Sequence, residues 1–139
     1  MSLVLDSSGV LAALEPNERA HVACRDALAS ATPPLLLSPF VLAELDYLFL
    51  SRRGIDAELA LLGEVARGAY RLEPMTSADV GRAREIAEQY RDLRLGIADA
   101  SVLVLCERYD THDVLTLDHR HFRSITDHGQ PLRLLPDDL

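Results

Sequence analysis

Four carboxylates stand in surroundings unusual for acidic side chains. Asp6 closes the apolar run Leu3-Val4-Leu5, and Glu44 sits inside Pro39-Phe40-Val41-Leu42-Ala43-Glu44-Leu45-Asp46-Tyr47-Leu48. Asp99 heads Ile97-Ala98-Asp99-Ala100-Ser101-Val102-Leu103-Val104-Leu105-Cys106, and Asp118 follows Val114-Leu115-Thr116-Leu117. Taken singly, each has a structural explanation. Asp is a preferred helix N-cap, which would account for Asp6, Asp99 and Asp118. Glu44 shares a helical stripe with Phe40, Val41, Tyr47 and Leu48, so the spacing predicts that it points with the apolar side. A carboxylate buried there must be neutral, paired with an Arg, or beside a cation. Asp46 reads as a solvated rim residue. If the fold gathers the four, their mutual repulsion demands a hard divalent cation. All-oxygen ligation then favours magnesium or manganese over zinc.

Other chemistries find less support. His119 and His121 in Asp118-His119-Arg120-His121 look metal-like, but at two-residue spacing on a short helix they diverge, and no Cys or acidic cluster completes a zinc pattern. Both read as surface or substrate-rim residues. No Gly-rich phosphate loop, GxSxG elbow or CxxC pair occurs. A phosphoaspartyl hydrolase would place a second Asp two positions after the first, where this chain has Ser8.

The elements that must position these residues alternate between strand and helix. Leu3 to Leu5 reads as a strand ended by Asp6-Ser7-Ser8-Gly9, a strand-to-helix corner. A helix is expected from Asn17 to Ser30, stopped by Thr32-Pro33-Pro34 before a second strand, Leu35 to Leu37. Ser38-Pro39 opens a helix over Phe40 to Arg53, closed by Gly54. A further helix runs from Asp56 to Arg67, a short strand covers Tyr70 to Leu72, and Thr76 or Ser77 caps a polar helix ending at Tyr90. Ala98 to Tyr109 reads as a buried helix, Val114 to Leu117 as a strand, Asp118 to Arg123 as a helical turn, and Leu132 to Leu135 as a last strand. Such alternation implies an α/β fold with a central, mainly parallel sheet covered on both faces. In open sheets of this kind ligands bind at the carboxyl ends of the strands, where Asp6 and Asp118 fall.

The chain of 139 residues has the length of a single domain with one core, spanning 1–139. Its formal net charge of -8 argues against coating nucleic acid by general electrostatic attraction. All 14 basic side chains are Arg, so phosphate recognition must use guanidinium forks, backbone amides or metal ions. Two cysteines make no disulfide framework, and the first residues hold neither a basic leader nor a long apolar run. A cytoplasmic protein without a membrane span is the expectation.

Read together, Leu5-Asp6-Ser7-Ser8, the Glu of Ser38-Pro39-Phe40-Val41-Leu42-Ala43-Glu44-Leu45, Ala98-Asp99-Ala100-Ser101 and Thr116-Leu117-Asp118-His119-Arg120-His121-Phe122 resemble the PIN-domain family. The likeness is to its small VapC-type branch, the toxins of bacterial type II toxin-antitoxin pairs. The resemblance covers essentially the whole chain. It implies a PIN-like three-layer α/β/α fold and a Mg2+- or Mn2+-dependent endoribonuclease that inhibits translation by cutting a structured RNA, either transfer RNA or the sarcin-ricin loop of 23S ribosomal RNA. Asp6, Asp99 and Asp118 would hold the metal, with Glu44 a direct or water-mediated ligand. Ser7 and Thr116 would hydrogen-bond those carboxylates. Arg94, Arg120 and Arg123 would contact RNA phosphates. The resemblance further implies a VapB-type antitoxin that blocks the site, and a homodimer, or a heterotetramer or hetero-octamer with that antitoxin. Two alternatives remain open: a non-catalytic PIN-fold RNA-binding module, and a metal-dependent phosphohydrolase acting on small phosphate esters.

Overall fold

The computed structural model describes residues 2–139. Its first strand, β1 (Leu3–Leu5), is buried along its whole length, as a strand covered on both faces requires. There follow α1 (Ser7–Leu14), α2 (His21–Ser30), β2 (Leu35–Leu37), α3 (Pro39–Arg53), α4 (Ile55–Ala66), β3 (Arg71–Leu72), α5 (Ser77–Gln89) and a 3-10 turn over Arg91–Leu93. The remainder is α6 (Ile97–Tyr109), β4 (Asp113–Leu115), α7 (His119–Phe122), β5 (Thr126–Asp127), β6 (Gln130–Pro131) and β7 (Arg133–Leu135). Five strands form one sheet in the order β3-β2-β1-β4-β7, with every pairing parallel. The expected α/β architecture is therefore present.

Local chemistry sets most boundaries. Ser38 caps α3 by accepting from Phe40 N, Pro39 fills the first turn, and Gly54 ends the helix at φ 94, where a side chain would be strained. Thr76 and Asp79 form a reciprocal capping box at the start of α5. The helix expected from residue 17 begins instead at His21, because Glu15 takes up the Glu18 amide in a turn. Strand β4 stops at Leu115 rather than Leu117, since the Leu117 amide leaves the sheet and donates to Ser8 Oγ. The hairpin of β5 and β6 was not anticipated from the sequence. It turns through His128 at φ 51 and Gly129 at φ 78, the two positive values that a two-residue hairpin of matching twist demands.

Helix α6 is the central pillar. Its residues Ala100 to Cys106 are all buried, so it has no solvent face over that length. Val41, Leu45 and Phe49 form the buried stripe of α3 at four-residue spacing and join β1, β2, β4 and α6 in one core. Cys24 and Cys106 are buried and unpaired. Among the described residues no helix is long and apolar enough to cross a membrane.

Candidate active site

The sheet itself selects the site. β1 is central, with β2 on one side and β4 on the other, so the winding direction reverses there and a crevice opens beyond the ends of β1 and β4. Asp6 is the first residue past β1 and is only 3 % exposed. It occupies the N-cap position of α1 yet makes no capping hydrogen bond with its side chain. Its Oδ2 accepts from Thr116 Oγ1 at 2.7 Å and from Ser8 Oγ at 2.8 Å. Gly9 makes this arrangement sterically possible. A Cβ at that position would lie 2.7 Å from the Leu115 carbonyl oxygen, so only glycine lets α1 start against the end of β4.

Asp99 and Asp118 face one another across His121. The imidazole Nδ1 lies 2.9 Å from Asp99 Oδ2 and 2.9 Å from Asp118 Oδ2, off the line of a good hydrogen bond to either. Asp118 does cap α7, its Oδ1 accepting from His121 N at 3.1 Å, so capping and site membership coexist there. Asp99 does not cap α6. Gly96 holds that position, and Asp99 is the third helical residue, its carboxylate directed to the crevice. The two histidines diverge as their spacing requires: His119 turns to Asp137 at 2.9 Å. His121, however, belongs to the interior of the site rather than to a surface or rim, a correction that follows from its place one helical turn beyond Asp118.

Glu44 also needs correction. It is exposed, and the buried stripe of α3 is Val41, Leu45 and Phe49, one step around the helix from the stripe containing Glu44. The nearly apolar sequence of α3 made both faces look interior. Glu44 instead opens on the crevice, where Ser7 Oγ donates to its Oε1. The α3 and α6 helices that carry Glu44 and Asp99 are joined at their N-termini by the buried pair Ser38 and Ser101, whose hydroxyls lie 2.6 Å apart. Ser101 Oγ donates to Ala98 O and Ser38 Oγ accepts from Phe40 N, so each helix start is fixed against the other. Asp46 is half-buried and turns to Glu58, away from the crevice.

The electrostatics report one shared negative field. Burial pushes the Asp99 carboxyl up to about 6, helped by the charges of Asp6, Asp118 and Glu44 and opposed by His121. Burial likewise raises Asp6, with Thr116 and Ser8 pulling it part of the way back and Glu44 adding to the rise. Asp6 and Asp99, raised in this way beside the charges of Glu44 and Asp118, belong to a donor set short of positive charge, which is what a hard divalent cation supplies. Among the described residues no three His, Cys, Asp or Glu side chains already stand as a closed metal cage. The His121 ring fills the space between two of the four. The oxygen-only character of the set fits Mg2+ or Mn2+, and nothing in it fits zinc better.

Arg94, shortly before α6, and Arg120, within α7, are exposed, and neither forms an ion pair among the described residues. Arg123 differs. Its fork is engaged by Asp138, at 2.6 and 3.1 Å, tying α7 to the C-terminal turn. Sequence reasoning missed the roles of Ser8, Gly9 and Ser101 and the link of Ser38 to Ser101, all of which depend on partners far away in the chain.

Residues 3–127 match the PIN domain family. A curated relative, ribonuclease VapC26 of Mycobacterium tuberculosis (strain ATCC 25618 / H37Rv), is 44% identical over 123 residues, covering 88% of this chain and 91% of that protein. The crystal structure of Mycobacterium tuberculosis VapC20, described as a sarcin-ricin loop cleaving toxin, superposes with a TM-score of 0.81 at 19% identity, covering 93% of this chain and 99% of that one. The order Asp6, Glu44, Asp99, Asp118 along the chain, the crevice beyond the ends of the inner strands β1 and β4 of a five-stranded parallel sheet, and these matches lead to one conclusion: the chain belongs to the PIN-domain family, in its VapC-type branch.

Proposed function

We propose that this protein is a Mg2+- or Mn2+-dependent endoribonuclease, the toxin of a type II toxin-antitoxin pair, that cuts a structured RNA and so inhibits translation. The observation that carries the reading is the gathering of carboxylates at the switch point of the sheet: Asp99 and Asp118 on either side of His121, Glu44 on Ser7, and the buried Asp6 close enough for its charge to act on Asp99. A bound divalent ion supplies Lewis-acid polarisation of the phosphate and a water acidic enough to attack it at neutral pH. Asp6, Asp99 and Asp118 would hold that ion, with Glu44 a direct or water-mediated ligand. The Thr116 and Ser8 hydroxyls orient the Asp6 carboxylate through its Oδ2. Ser7 does the same for Glu44. The His121 ring, with Nδ1 2.9 Å from both Asp99 Oδ2 and Asp118 Oδ2, would compete with an ion for these two carboxylates.

Arg94, shortly before α6, and Arg120, within α7, are exposed and would supply guanidinium groups to RNA phosphates. The target is transfer RNA or the sarcin-ricin loop, the second being what VapC20 is described as cutting. A VapB-type antitoxin partner, as the VapC name of the relative implies, would restrain the activity in the cytoplasm, and the working form would be a homodimer that assembles further with the antitoxin.

Incubation of the purified protein with total RNA, with and without Mg2+ or Mn2+, tests the proposal. Metal-dependent cuts at discrete sites, lost in Asp6→Ala, are expected. Turnover of small phosphate esters alone would turn the assignment toward a phosphohydrolase, and RNA binding without cleavage toward a non-catalytic module.

A further inference from the structure

Beside the acidic crevice, and sharing Glu44 and Asp99 with it, lies an open cleft of about 470 Å³. Its other walls are Phe40, Ala43 and Tyr47 from α3 and Gly96, Ile97 and Ala98 from the start of α6. Tyr47 is 69% exposed and Ile97 45%, so an aromatic ring and a branched aliphatic side chain face solvent within one helical turn of two carboxylates. Packing does not explain them: the buried stripe of α3 is Val41, Leu45 and Phe49, and Ile97 precedes the buried run of α6.

We propose that this cleft is a nucleobase subsite, in which Tyr47 stacks an unpaired base next to the scissile phosphate and Ile97 closes the other side. The inference rests on the endoribonuclease reading above and adds to it how that site grips its substrate. Three observations favour a base over a protein segment. The cleft shares two walls with the carboxylates, so its occupant lies one nucleotide's reach from the reacting phosphate. Its remaining lining is neutral and holds no Arg, so it offers a surface to the face of an uncharged ring and no partner to a phosphate. Its volume is that of a small-ligand cleft, about 300–1,000 Å³, rather than of a protein interface. Stacking on an aromatic ring works for any base, while the shape of the cleft between Tyr47 and Ile97 sets which base fits best. Single-stranded loops are the RNA elements that can present such a base.

The test compares wild-type protein with Tyr47→Ala, Tyr47→Phe and Ile97→Ala, using total RNA and Mn2+. Cleaved ends are sequenced, rates are measured on the RNA fragment so identified, Mn2+ binding is followed by calorimetry, and molecular mass by light scattering. The inference expects Tyr47→Ala to lower kcat/KM about tenfold or more and to relax the base preference at one position flanking the cut, with Mn2+ binding and mass unchanged. Tyr47→Phe should keep both rate and preference, and Ile97→Ala should loosen the same position. If Tyr47→Ala cuts with unchanged rate and preference, the inference is overturned while the nuclease reading stands. If it instead changes the mass, or loses only inhibition by the paired antitoxin, the face belongs to a protein partner and the inference fails. If wild-type protein cuts no RNA with either metal, the nuclease reading fails first and takes the subsite with it.

Discussion

The Thr116 hydroxyl donates to Asp6 Oδ2 at 2.7 Å, joining side chains 110 residues apart. Through it the end of β4 orients the carboxylate at the end of β1. Gly9 lets the two strand ends come this close, because a Cβ there would strike the Leu115 carbonyl. Gly9→Ala is therefore expected to cost about 1–3 kcal/mol of stability, the usual price of overpacking a close contact. It should also weaken Mn2+ binding, since relief of the clash moves α1 and with it Ser8. Urea unfolding and calorimetry on the same preparation measure the two effects.

Asp99 is raised first by burial and then by the charges of Asp6, Asp118 and Glu44. In Asp99→Asn the charge is gone and the amide fits the same space, so cleavage should fall to background while the metal-free protein becomes more stable at pH 7.5, by on the order of 3 °C in Tm. Addition of 5 mM (about) Mn2+ should raise Tm in wild type and not in the variant. A metal-free variant less stable than wild type would show that Asp99 is structural.

The sign of the pH dependence follows from the same group. Its folded pKa is about 6 against an ordinary 3.8, so between those values the folded state binds more protons than the unfolded one. Stability of the metal-free protein attributable to Asp99 should thus rise as pH falls from 7.5 towards 5, and this rise should be absent in Asp99→Asn. Asp79 and Asp138 act in the opposite sense. The Thr76 amide holds the first low, and Arg123 the second, so their contribution is lost only in stronger acid. Mn2+ affinity should fall through about pH 6, because the ligand carboxylates must be ionised. Thermal melts across pH, with and without metal, check both directions.

Glu44 is exposed, so Glu44→Gln should leave stability within about 0.5 kcal/mol of wild type. Cleavage should nevertheless drop roughly 10–100-fold, the range typical of lost support to a metal site. Ser7→Ala should reproduce part of that loss through Glu44 alone. Equal activity of Glu44→Gln and wild type would remove Glu44 from the metal set.

The three arginines near the crevice should separate by function. Arg94→Ala and Arg120→Ala are each expected to weaken RNA binding broadly and to reduce the salt slope by roughly one unit. Arg123→Ala should instead lower Tm, since it unties Asp138 from α7. Binding titrations at several salt concentrations, beside melting curves, distinguish the two classes.

Much of this was readable along the chain. Apolar triplets Leu3 to Leu5 and Leu35 to Leu37 announce buried strands, and Ser38-Pro39 and Gly54 bracket α3, because capping and strand burial depend on neighbours in sequence. The order of Asp6, Glu44, Asp99 and Asp118 was legible for the same reason, as each stands at a recognisable end or stripe. Which face of α3 is buried was not. A helix carrying Phe40, Val41, Leu42, Leu45, Tyr47, Leu48 and Phe49 offers several apolar stripes, and only packing against α6 and the sheet chose Val41, Leu45 and Phe49 and left Glu44 and Tyr47 on the crevice side. The place of His121 between Asp99 and Asp118, the support of Asp6 by Ser8 and Thr116, and the Ser38–Ser101 link were likewise decided in three dimensions. Sequence fixes what a residue can donate, accept or bury; the parallel sheet, by bringing strand ends together, determines with whom.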